Sequence, residues 1–393
     1  MTRRVELLAP AGDLERLKIT LLYGADAVYI GGQDYSLRAN ANNFSIDEIR
    51  EACSFAHNLN KKVYLTLNIV FHNEDLANVD KFIKEVVNAG IDAFIVSDPF
   101  IIKYIKDNYK VEVHLSTQGS TTNLESVKYW KEEGIDRVVL AREVSIKEIE
   151  EIYKETSLDL EVFIHGAMCT FYSGRCCLSN YFTNRDSNRG GCAQICRFAF
   201  DIDEYDTKFT MATKDLNMAS LLPKLLDAGV KSLKVEGRMR SAYYLATVIS
   251  SYRKLIDAYY DGTLDEELLN KCEKILSRVA NRETSTHYYL RKADFTDQYY
   301  TGRQELSNQD FLAIVLSYDK ESKIATITER NYFKVGDSVE IFTPKGDIFS
   351  FEVEKLYDKD MNPIDVARHP EEELNLYVPF EVTKDSMMRV KVL

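Results

Sequence analysis

Short apolar runs alternate with amphipathic stretches along the first 240 residues of the chain. The runs are rich in β-branched residues and each precedes a polar turn, which is typical of strands. The intervening stretches, such as residues 14–24 and 45–59, carry apolar residues at three- and four-residue spacing, which predicts helices. The predicted strands cover residues 5–9, 26–30, 62–68, 92–96, 111–116, 136–141, 160–166 and 231–237.

Residues that favour helix ends lie where the pattern changes. Ser45, followed by Asp47 and Glu48, has the character of an N-cap with acids in the first turn. A glycine after the last apolar position predicts the C-terminal end of several helices. These glycines are Gly24, Gly90, Gly134 and Gly229.

Eight strands that alternate with helices over about 240 residues predict an α/β fold, a closed (β/α)8 TIM-like barrel. A doubly wound open sheet is the alternative, although no GxGxxG follows the first strand, which argues against a dinucleotide-binding version. The gap at residues 167–230 predicts an insertion that carries a Cys-rich segment, residues 165–200. A further short strand is predicted at 208–213.

The pattern changes twice more toward the C-terminus. Residues 241–305 have a helical pattern with few glycines and predict a helical connector. From about residue 310 the apolar positions alternate with a period of two, and turns follow at short intervals. We therefore divide the chain into a barrel domain (1–240), the connector (241–305) and a small all-β barrel or sandwich (306–393).

Composition and charge narrow the class of protein. The chain of 393 residues is 45% apolar and 28% charged, which is typical of a globular enzyme. Its net charge of −12 disfavours non-specific binding of nucleic acid by the whole surface. The N-terminus has no apolar run of signal-peptide length, and no run reaches the roughly 20 residues of a membrane helix. We therefore expect a cytoplasmic, reducing location and no membrane segment.

Polar residues gather just after the predicted strands, and in a barrel these positions share one mouth. Asp13 and Asp98 are expected to be ordinary helix N-caps. Two other strand ends each place an arginine beside a carboxylate, which suits a phosphate, a carboxylate or a base edge. The candidate catalytic residues are Arg142, Glu143, Glu236 and Arg238, and the candidate substrate-binding residues include Asn68, Ser116 and Gln118.

His165 ends the seventh predicted strand and is a further candidate site residue. A histidine at this position could act as a general acid or base, bind a metal, or lie buried with a hydrogen-bond partner. The sequence leaves these three interpretations open. We include His165 among the candidate catalytic residues.

Five of the seven cysteines lie in the segment that follows His165, with the spacing C-x6-C-C-x15-C-x3-C. In a reducing compartment such a group favours metal binding over disulfides. Four thiolates on irregular loops suit a 4Fe–4S cluster, and zinc is the alternative. The predicted ligands are Cys169, Cys176, Cys192 and Cys196.

Adjacent side chains diverge, so only one of Cys176 and Cys177 is expected to bind the cluster, and Cys176 is preferred. Free buried thiols are the other interpretation of the group. Cys53 and Cys272 lie on apolar helix faces and are predicted to belong to the core.

The same segment is a positive island in an acidic protein, with four arginines and a single acid, Asp186. The arginines could form an anion site or pair with the acids of residues 201–206. Three of them are predicted to bind substrate: Arg175, Arg189 and Arg197.

These residues also carry a family resemblance. Residues 161–179 (EVFIHGAMCTFYSGRCCLS) and 187–197 (SNRGGCAQICR) closely resemble consecutive signature blocks of the U32 peptidase, or collagenase-like, family. The resemblance covers about residues 5–260 and extends to the C-terminal β-domain. Four shorter stretches extend the likeness, namely residues 7–13, 24–32, 140–145 and 233–241.

The resemblance implies two kinds of activity, because some members are named as peptidases and others are oxygen-independent iron–sulfur hydroxylases. The likeness is greatest to the branch that makes 5-hydroxyuridine at the tRNA wobble position, with prephenate as a co-substrate or required metabolite; other members act on ribosomal RNA or a quinone precursor. In that family the cysteines that match the four predicted ligands are the plausible cluster ligands. Cys177 departs from the family, which usually has an apolar residue there.

Three functional hypotheses result. The first is an RNA-modifying hydroxylase with tRNA and a small carboxylate metabolite as partners, in which His165 and Glu236 move protons and Arg142 and Arg238 hold an anion. The second is a peptidase with a Cys169–His165 dyad, although the chain has neither HExxH nor GxSxG. The third is a non-catalytic RNA-binding protein whose metal only stabilises a loop. A homologous partner subunit or a homodimer is possible in each case.

Overall fold

The computed structural model describes residues 4–37, 43–202, 205–280, 282–299 and 309–392. Eight parallel strands form a ring in which each strand pairs with the next, and the last pairs with both the seventh and the first. The predicted TIM-like barrel is therefore confirmed, and the open-sheet alternative is wrong. The strands of the first 300 residues are β1 (Glu6–Pro10), β2 (Ala27–Gly31), β3 (Lys62–Leu67), β4 (Ala93–Val96), β5 (Glu112–Leu115), β6 (Arg137–Val139), β7 (Asp159–Gly166), β8 (Phe200–Ile202), β9 (Tyr205–Phe209), β10 (Asp215–Asn217), β11 (Ser232–Val235) and β12 (Thr284–Ser285).

Helices connect the barrel strands. Asp13, Ser45 and Asp98 each cap a helix by accepting hydrogen bonds from backbone N–H groups in the first turn, and Ser45 and Glu48 form a capping box. The four glycines predicted at helix ends all have positive φ. The helices are α1 (Leu14–Leu22), α2 (Ile46–Asn58), α3 (Val79–Ala89), α4 (Pro99–Asn108), α5 (Leu124–Glu132), α6 (Ile146–Thr156), α7 (Leu178–Thr183), α8 (Leu222–Asp227), α9 (Ala242–Asp261) and α10 (Glu266–Val279).

The main hydrophobic core lies between the strands and the surrounding helices, and it includes Cys53 and Cys272 as predicted. The interior of the barrel is different, because its apolar cluster is small. The members of that cluster are Leu8, Ala27, Tyr29, Tyr64, Ala93 and Ile95. Charged side chains occupy much of the remaining interior.

Four of these charged side chains form what we call the basal network: Glu6, Arg137, Glu161 and Lys234. Arg137 pairs with Glu6 at 2.6 Å and with Glu161 at 3.1 Å, and Lys234 pairs with Glu161 at 2.8 Å. Burial acts to raise the pKa of Glu161, but the nearby Lys234 and Arg137 outweigh it and lower that pKa to about 2. Every member of the basal network therefore has a partner of opposite charge.

The insertion that follows β7 contains α7 and the antiparallel hairpin of β8 and β9. The chain then returns through β10, which pairs antiparallel with β7. Strand β9 ends at Phe209, and Thr213 forms only an isolated bridge to Gln298. The strand predicted at 208–213 is therefore placed too late in the chain.

An antiparallel all-β domain follows α10, as predicted. Its main sheet has the order β17-β16-β22-β13-β14-β21-β18-β19, and β15 pairs with β20. The strands are β13 (Phe311–Asp319), β14 (Ile324–Glu329), β15 (Phe333–Lys334), β16 (Ser338–Phe342), β17 (Ile348–Glu352), β18 (Leu356–Tyr357), β19 (Pro363–Ile364), β20 (Val366–Ala367), β21 (Glu373–Tyr377) and β22 (Met387–Val390).

The β-domain packs against the barrel through aromatic side chains. Tyr243 stacks on Phe311 with ring centroids 4.6 Å apart, and Tyr23 meets Phe342 edge to face. The domain boundaries placed at residues 240 and 305 stay predictions. Among the described residues, no helix is long and apolar enough to cross a membrane.

Candidate functional site

A cavity of about 150 Å³ lies at the carboxyl ends of the barrel strands, beneath the cysteine insertion. This end of a (β/α)8 barrel is where catalytic sites form. Ten of the predicted site residues line the cavity together. They are Asn68, Ser116, Gln118, Arg142, Cys169, Cys176, Cys192, Cys196, Glu236 and Arg238.

Arg142 and Glu236 form a loose ion pair at one wall of this cavity. The guanidinium Nη2 of Arg142 lies 3.8 Å from Glu236 Oε2, and the guanidinium covers the ring of Phe163 at 3.9 Å. Tyr29 donates a hydrogen bond of 3.4 Å to the same carboxylate. The Nε of Arg142 is buried and has no hydrogen-bond partner in the described part of the chain. The pair is thus held in place yet keeps an unused donor.

Arg238 is fixed more firmly. Its guanidinium donates to Ser36 Oγ at 2.8 Å and to Asn43 Oδ1, and the residue is buried. Gly31 makes this possible, because a Cβ at that position would lie 2.2 Å from the guanidinium. A planar donor group held this rigidly suits recognition of a carboxylate or phosphate.

Two amide side chains across the cavity, those of Asn68 and Gln118, have carbonyl oxygens that accept no hydrogen bond among the described residues. Asn68 donates from Nδ2 to Ser116 Oγ at 3.3 Å. Its own Oδ1, like Oε1 of Gln118, is buried and has no partner among the described residues. Buried polar atoms in native proteins nearly always have partners, and unpaired ones cost about 1–3 kcal/mol each. Two such atoms border this cavity, where a bound ligand would supply the missing donors.

All seven cysteines are free thiols, and four of them face the cavity. Burial raises the pKa of Cys176, and the neighbouring sulfurs of Cys169 and Cys192 add to that effect. Cys196 is affected in the same way by burial and by the other three. Cys177 is exposed and does not line the cavity. Cys176, and not Cys177, therefore faces the cavity, and the choice of Cys176 as a metal ligand stays a prediction.

The donor set fits an iron–sulfur cluster. Thiolates are the soft ligands that such clusters require. A single zinc ion would bring its sulfurs to within roughly 3.8 Å of one another, given a Zn–S distance near 2.3 Å. Within the described ranges, no three His, Cys, Asp or Glu side chains are grouped tightly enough for one ion. A cubane body takes its ligands over a wider span, so the four thiols do not need that spacing.

Arg197 lies beside the thiols and does not line the cavity. Burial lowers the pKa of Arg197, and the nearby Arg282 acts in the same direction, whereas Cys196 and Cys169 act in the opposite one. A partly buried cation next to several thiol groups offsets negative charge that develops on their sulfurs. The predicted role of Arg197 in substrate binding stays a prediction.

The other two candidate arginines also lie outside the cavity lining. Arg189 forms an ion pair with Asp75 and donates to the carbonyl of Val70 at 2.7 Å. It therefore fastens the insertion to the loop after β3. Arg175 is exposed on the insertion. Substrate binding by these two arginines stays a prediction.

Glu143 holds the insertion over β6. Its Oε1 accepts hydrogen bonds from the backbone N–H and Oγ of Ser173, at 3.0 and 3.3 Å. Gly174 follows with φ of +74°, and a Cβ there would lie 2.4 Å from the carbonyl oxygen of Gln118. Only glycine lets the backbone approach this closely. Glu143 thus acts on the cavity by positioning the segment that covers it, and its predicted catalytic role stays a prediction.

His165 points elsewhere. Its Nδ1 lies 3.3 Å from the hydroxyl of Tyr252 on α9, and its ring packs against Tyr244. It does not line the cavity, whereas Cys169 does. Burial lowers the pKa of His165 to about 4. The geometry favours the buried, hydrogen-bonding interpretation of His165 and gives no support to a Cys169–His165 dyad.

Comparison with known proteins places this arrangement in a family. The sequence pattern of peptidase family U32 matches residues 12–299, and that of the U32 C-terminal domain matches residues 307–389. The chain belongs to peptidase family U32.

Individual U32 relatives are similar over most of their length. The chain is 44% identical to "tRNA hydroxylation protein P1" of Bacillus subtilis, over 99% of this chain and 95% of the relative. It is 34% identical to "tRNA hydroxylation protein P" of Escherichia coli, with 87% of each protein covered. It is also 33% identical to "Collagenase" of Porphyromonas gingivalis, with 89% of each covered.

Some residues that line the cavity of this U32 chain were missed from the sequence, notably Tyr29, Phe163, Tyr172 and Lys234. Strand alternation carries the signal for Lys234, because it has the same parity as the buried Ser232 in β11. Alternate residues of a barrel strand face the interior, so a charged residue at such a position indicates either a buried pair or a site.

Proposed function

We propose that the protein hydroxylates a pyrimidine of RNA, and that its substrate is the wobble uridine of tRNA. Conversion of uridine to 5-hydroxyuridine is a two-electron oxidation, so in the absence of molecular oxygen a co-substrate supplies the oxygen atom and an electron acceptor takes up the electron pair. The observation that carries the proposal is one cavity in which four thiols face a set of charged and unpartnered polar side chains. Two of the relatives described above are named for tRNA hydroxylation.

We further propose that Cys169, Cys176, Cys192 and Cys196 bind a 4Fe–4S cluster. A cluster bound there would supply one-electron redox chemistry next to the substrate. Arg197 offsets the negative charge of the thiolates, and Glu143 fixes the segment that carries the first two of them.

The residues of the barrel would bind and orient the base. Uracil presents one N–H donor between two carbonyl acceptors on its pairing edge. The unpartnered oxygens of Asn68 and Gln118 can accept from that donor. The carboxylate of Glu236 faces the same cavity and would take up or return a proton at the ring.

Arg142 and Arg238 would hold the carboxylate metabolite, for which prephenate is the proposed identity. Prephenate carries two carboxylates, and guanidinium groups bind such groups through paired hydrogen bonds. Arg238 is already oriented by Ser36 and Asn43, so little conformational entropy is lost on binding.

The cavity at the barrel mouth measures about 150 Å³. An unpaired loop nucleotide can swing out of its stack into such a pocket at low cost. A peptidase function gains no support here, because His165 contacts Tyr252 and not Cys169.

Mass spectrometry of tRNA nucleosides from a strain lacking the gene tests the proposal. We expect 5-hydroxyuridine and its derivatives to disappear and to return when the wild-type protein is supplied. A strain unable to make prephenate is expected to lack the same nucleosides. Unchanged hydroxyuridine in the deletion strain would contradict the proposal.

A further inference from the structure

The cysteine insertion exposes an unusual group of aromatic side chains. Tyr172, Tyr181, Phe182 and Phe198 are each more than half exposed, and Tyr181 is 88% exposed. Leaving an aromatic side chain exposed to water costs free energy, so a group of exposed aromatic side chains on one segment marks a binding surface. We call these four residues the aromatic rim.

Part of the aromatic rim is held rigid from behind. Phe182 meets Phe200 edge to face with ring centroids 5.8 Å apart, and Phe200 in turn packs on Phe209 at 5.6 Å. Phe182 is therefore fixed on its inner side and exposed on its outer side. Such a side chain offers a contact surface with little loss of conformational entropy on binding.

Two free cations accompany the aromatic rim. Arg175 and Arg185 are exposed, and neither forms an ion pair with a carboxylate among the described residues. The other two arginines of the insertion have different surroundings, since Arg189 pairs with Asp75 and Arg197 lies partly buried beside the thiols. In a protein of net charge −12, this surface is thus locally positive.

The insertion that carries the aromatic rim also covers the cavity. Tyr172 of the aromatic rim lines the cavity, together with Cys169, Cys176, Cys192 and Cys196 of the same insertion. Helix α7, which carries Tyr181 and Phe182, begins directly after Cys177. A polymer that inserts one unit into the cavity therefore contacts the segment that carries the aromatic rim.

We propose that the aromatic rim, with Arg175 and Arg185, is a stacking platform for the unpaired nucleotides that flank the modified base. This inference rests on the proposed RNA-hydroxylase function. Exposed aromatic rings bind bases by stacking, and arginines between them bind the backbone phosphates. Bases in a duplex do not expose their faces, so the platform selects single-stranded loops.

Binding of two labelled RNAs to the full-length protein tests this platform. One is an anticodon stem-loop, and the other is the same sequence fully paired with its complement, both measured by fluorescence anisotropy at one salt concentration. We expect the wild-type protein to prefer the stem-loop. We expect Tyr181→Ala and Phe182→Ala each to weaken stem-loop binding by about tenfold. Tyr181→Phe is expected to bind like the wild type, because it keeps the ring.

Tyr129→Ala is the matched control, since Tyr129 is 53% exposed on α5 and lies outside the insertion. It should leave binding unchanged. The variants Arg175→Gln and Arg185→Gln should each reduce the slope of log affinity against log salt by about one. Equal binding of loop and duplex by the wild type would overturn the platform.

Three outcomes separate this inference from the function on which it rests. Unchanged stem-loop binding by Tyr181→Ala and Phe182→Ala, while the wild type still restores hydroxyuridine in the deletion strain, rejects only the platform. Changed self-association in those variants with unchanged RNA binding would show a protein interface and would also reject it. Failure of the wild type to affect hydroxyuridine rejects the function, and the platform with it.

Discussion

The basal network and the mouth of the barrel treat buried polar groups differently. In the basal network, the charged groups of Arg137, Glu161 and Lys234 pair with opposite charges at 2.6–3.1 Å. Lys234 also reaches the cavity, and Arg137 Nε is the one buried atom of these ion pairs without a hydrogen-bond partner among the described residues. At the carboxyl ends, Asn68 Oδ1, Gln118 Oε1 and Arg142 Nε are buried without hydrogen-bond partners among the described residues.

This difference assigns the basal network to the stability of the fold and the mouth to its function. A buried charge costs several kcal/mol unless it is paired. Each member of the basal network therefore compensates the buried charge of another member. An unpaired buried polar atom destabilises the fold by about 1–3 kcal/mol. At the mouth, the proposed ligands would complete the hydrogen bonds of such atoms. Changes at the mouth should therefore reduce activity, and changes in the basal network should reduce stability.

The largest effect is expected from the thiols at the mouth. Cys176→Ala should remove one ligand of the proposed cluster, reduce the bound iron and sulfide, and lower hydroxylation at least about a thousandfold. The protein should still fold, because Cys176 is only partly buried and lies outside the hydrophobic cores. Iron and sulfide content after anaerobic purification, together with the visible absorption spectrum, measures this loss.

Cys177→Ala is the control for that change. Its thiol is exposed and does not face the cavity, so iron content and activity should both persist. If Cys177→Ala loses iron while Cys176→Ala retains it, the choice between the two adjacent cysteines is wrong. If neither variant nor the wild type binds iron under anaerobic conditions, the cluster proposal fails.

The next largest effect tests the basal network. Arg137→Met leaves Glu6 without its buried cation and Glu161 with only Lys234, and breaking such a pair typically costs about 3–5 kcal/mol. We expect the free energy of unfolding in urea to fall by that amount, while the folded fraction keeps its activity. Glu150→Gln on α6 removes a surface ion pair with Lys154 and should cost no more than about 0.5 kcal/mol.

The same variant changes the response to acid. Glu161 has a pKa of about 2 in the folded protein and an ordinary value of 4.5. Its ionic contribution is therefore fully present above pH 4.5 and is lost as the pH falls toward 2. Arg137→Met should flatten this part of the stability profile. A profile as steep as that of the wild type would show that the basal network does not stabilise the charged form of Glu161.

A smaller effect is expected from Arg142→Lys at the mouth. Lysine keeps the charge but loses the planar fork and the Nε donor, so binding of the carboxylate metabolite should weaken about tenfold. Thermal unfolding should change little. The prephenate concentration that gives half-maximal hydroxylation measures the effect, and Arg4→Lys, on an exposed ion pair, is the control. A large loss of stability without a change in prephenate dependence would place Arg142 with the basal network instead.

Periodicity was enough to predict the barrel and most of the mouth. All eight barrel strands were located, because each is a continuous apolar run between caps that obey local rules. The mouth residues after β3, β5, β6 and β11 follow from the strand ends alone, since parallel strands bring those ends together.

The insertion could not be predicted in the same way. Its backbone follows no period, so the sequence does not show that Arg189 folds back onto Asp75 or that Arg197 lies close to Cys196 and Cys169. The sequence does contain a local signal for the basal network. Arg137 and Glu161 are charged residues inside otherwise apolar strands, and their inward parity indicates a buried pair.

The smallest effect concerns His165, which lies at the level of the mouth but has a partner. If having a hydrogen-bond partner, and not its level in the barrel, determines the role of a residue, His165 should affect stability and not the reaction.

The pKa of His165 is about 4 in the folded protein against an ordinary 6.5, because burial disfavours the charged form. Above pH 6.5 the ring is neutral in both states and contributes nothing to pH dependence. As the pH falls from 6.5 toward 4, the unfolded chain takes up a proton that the folded protein excludes, so stability is lost. Between pH 7.5 and 5.5 this loss amounts to about 1 kcal/mol. The variant His165→Asn, whose amide can approach Tyr252, should lose about that much less than the wild type over this range while retaining hydroxylation at pH 7.5. Urea unfolding at the two pH values measures the difference, and a loss of hydroxylation with unchanged unfolding would return His165 to the catalytic residues.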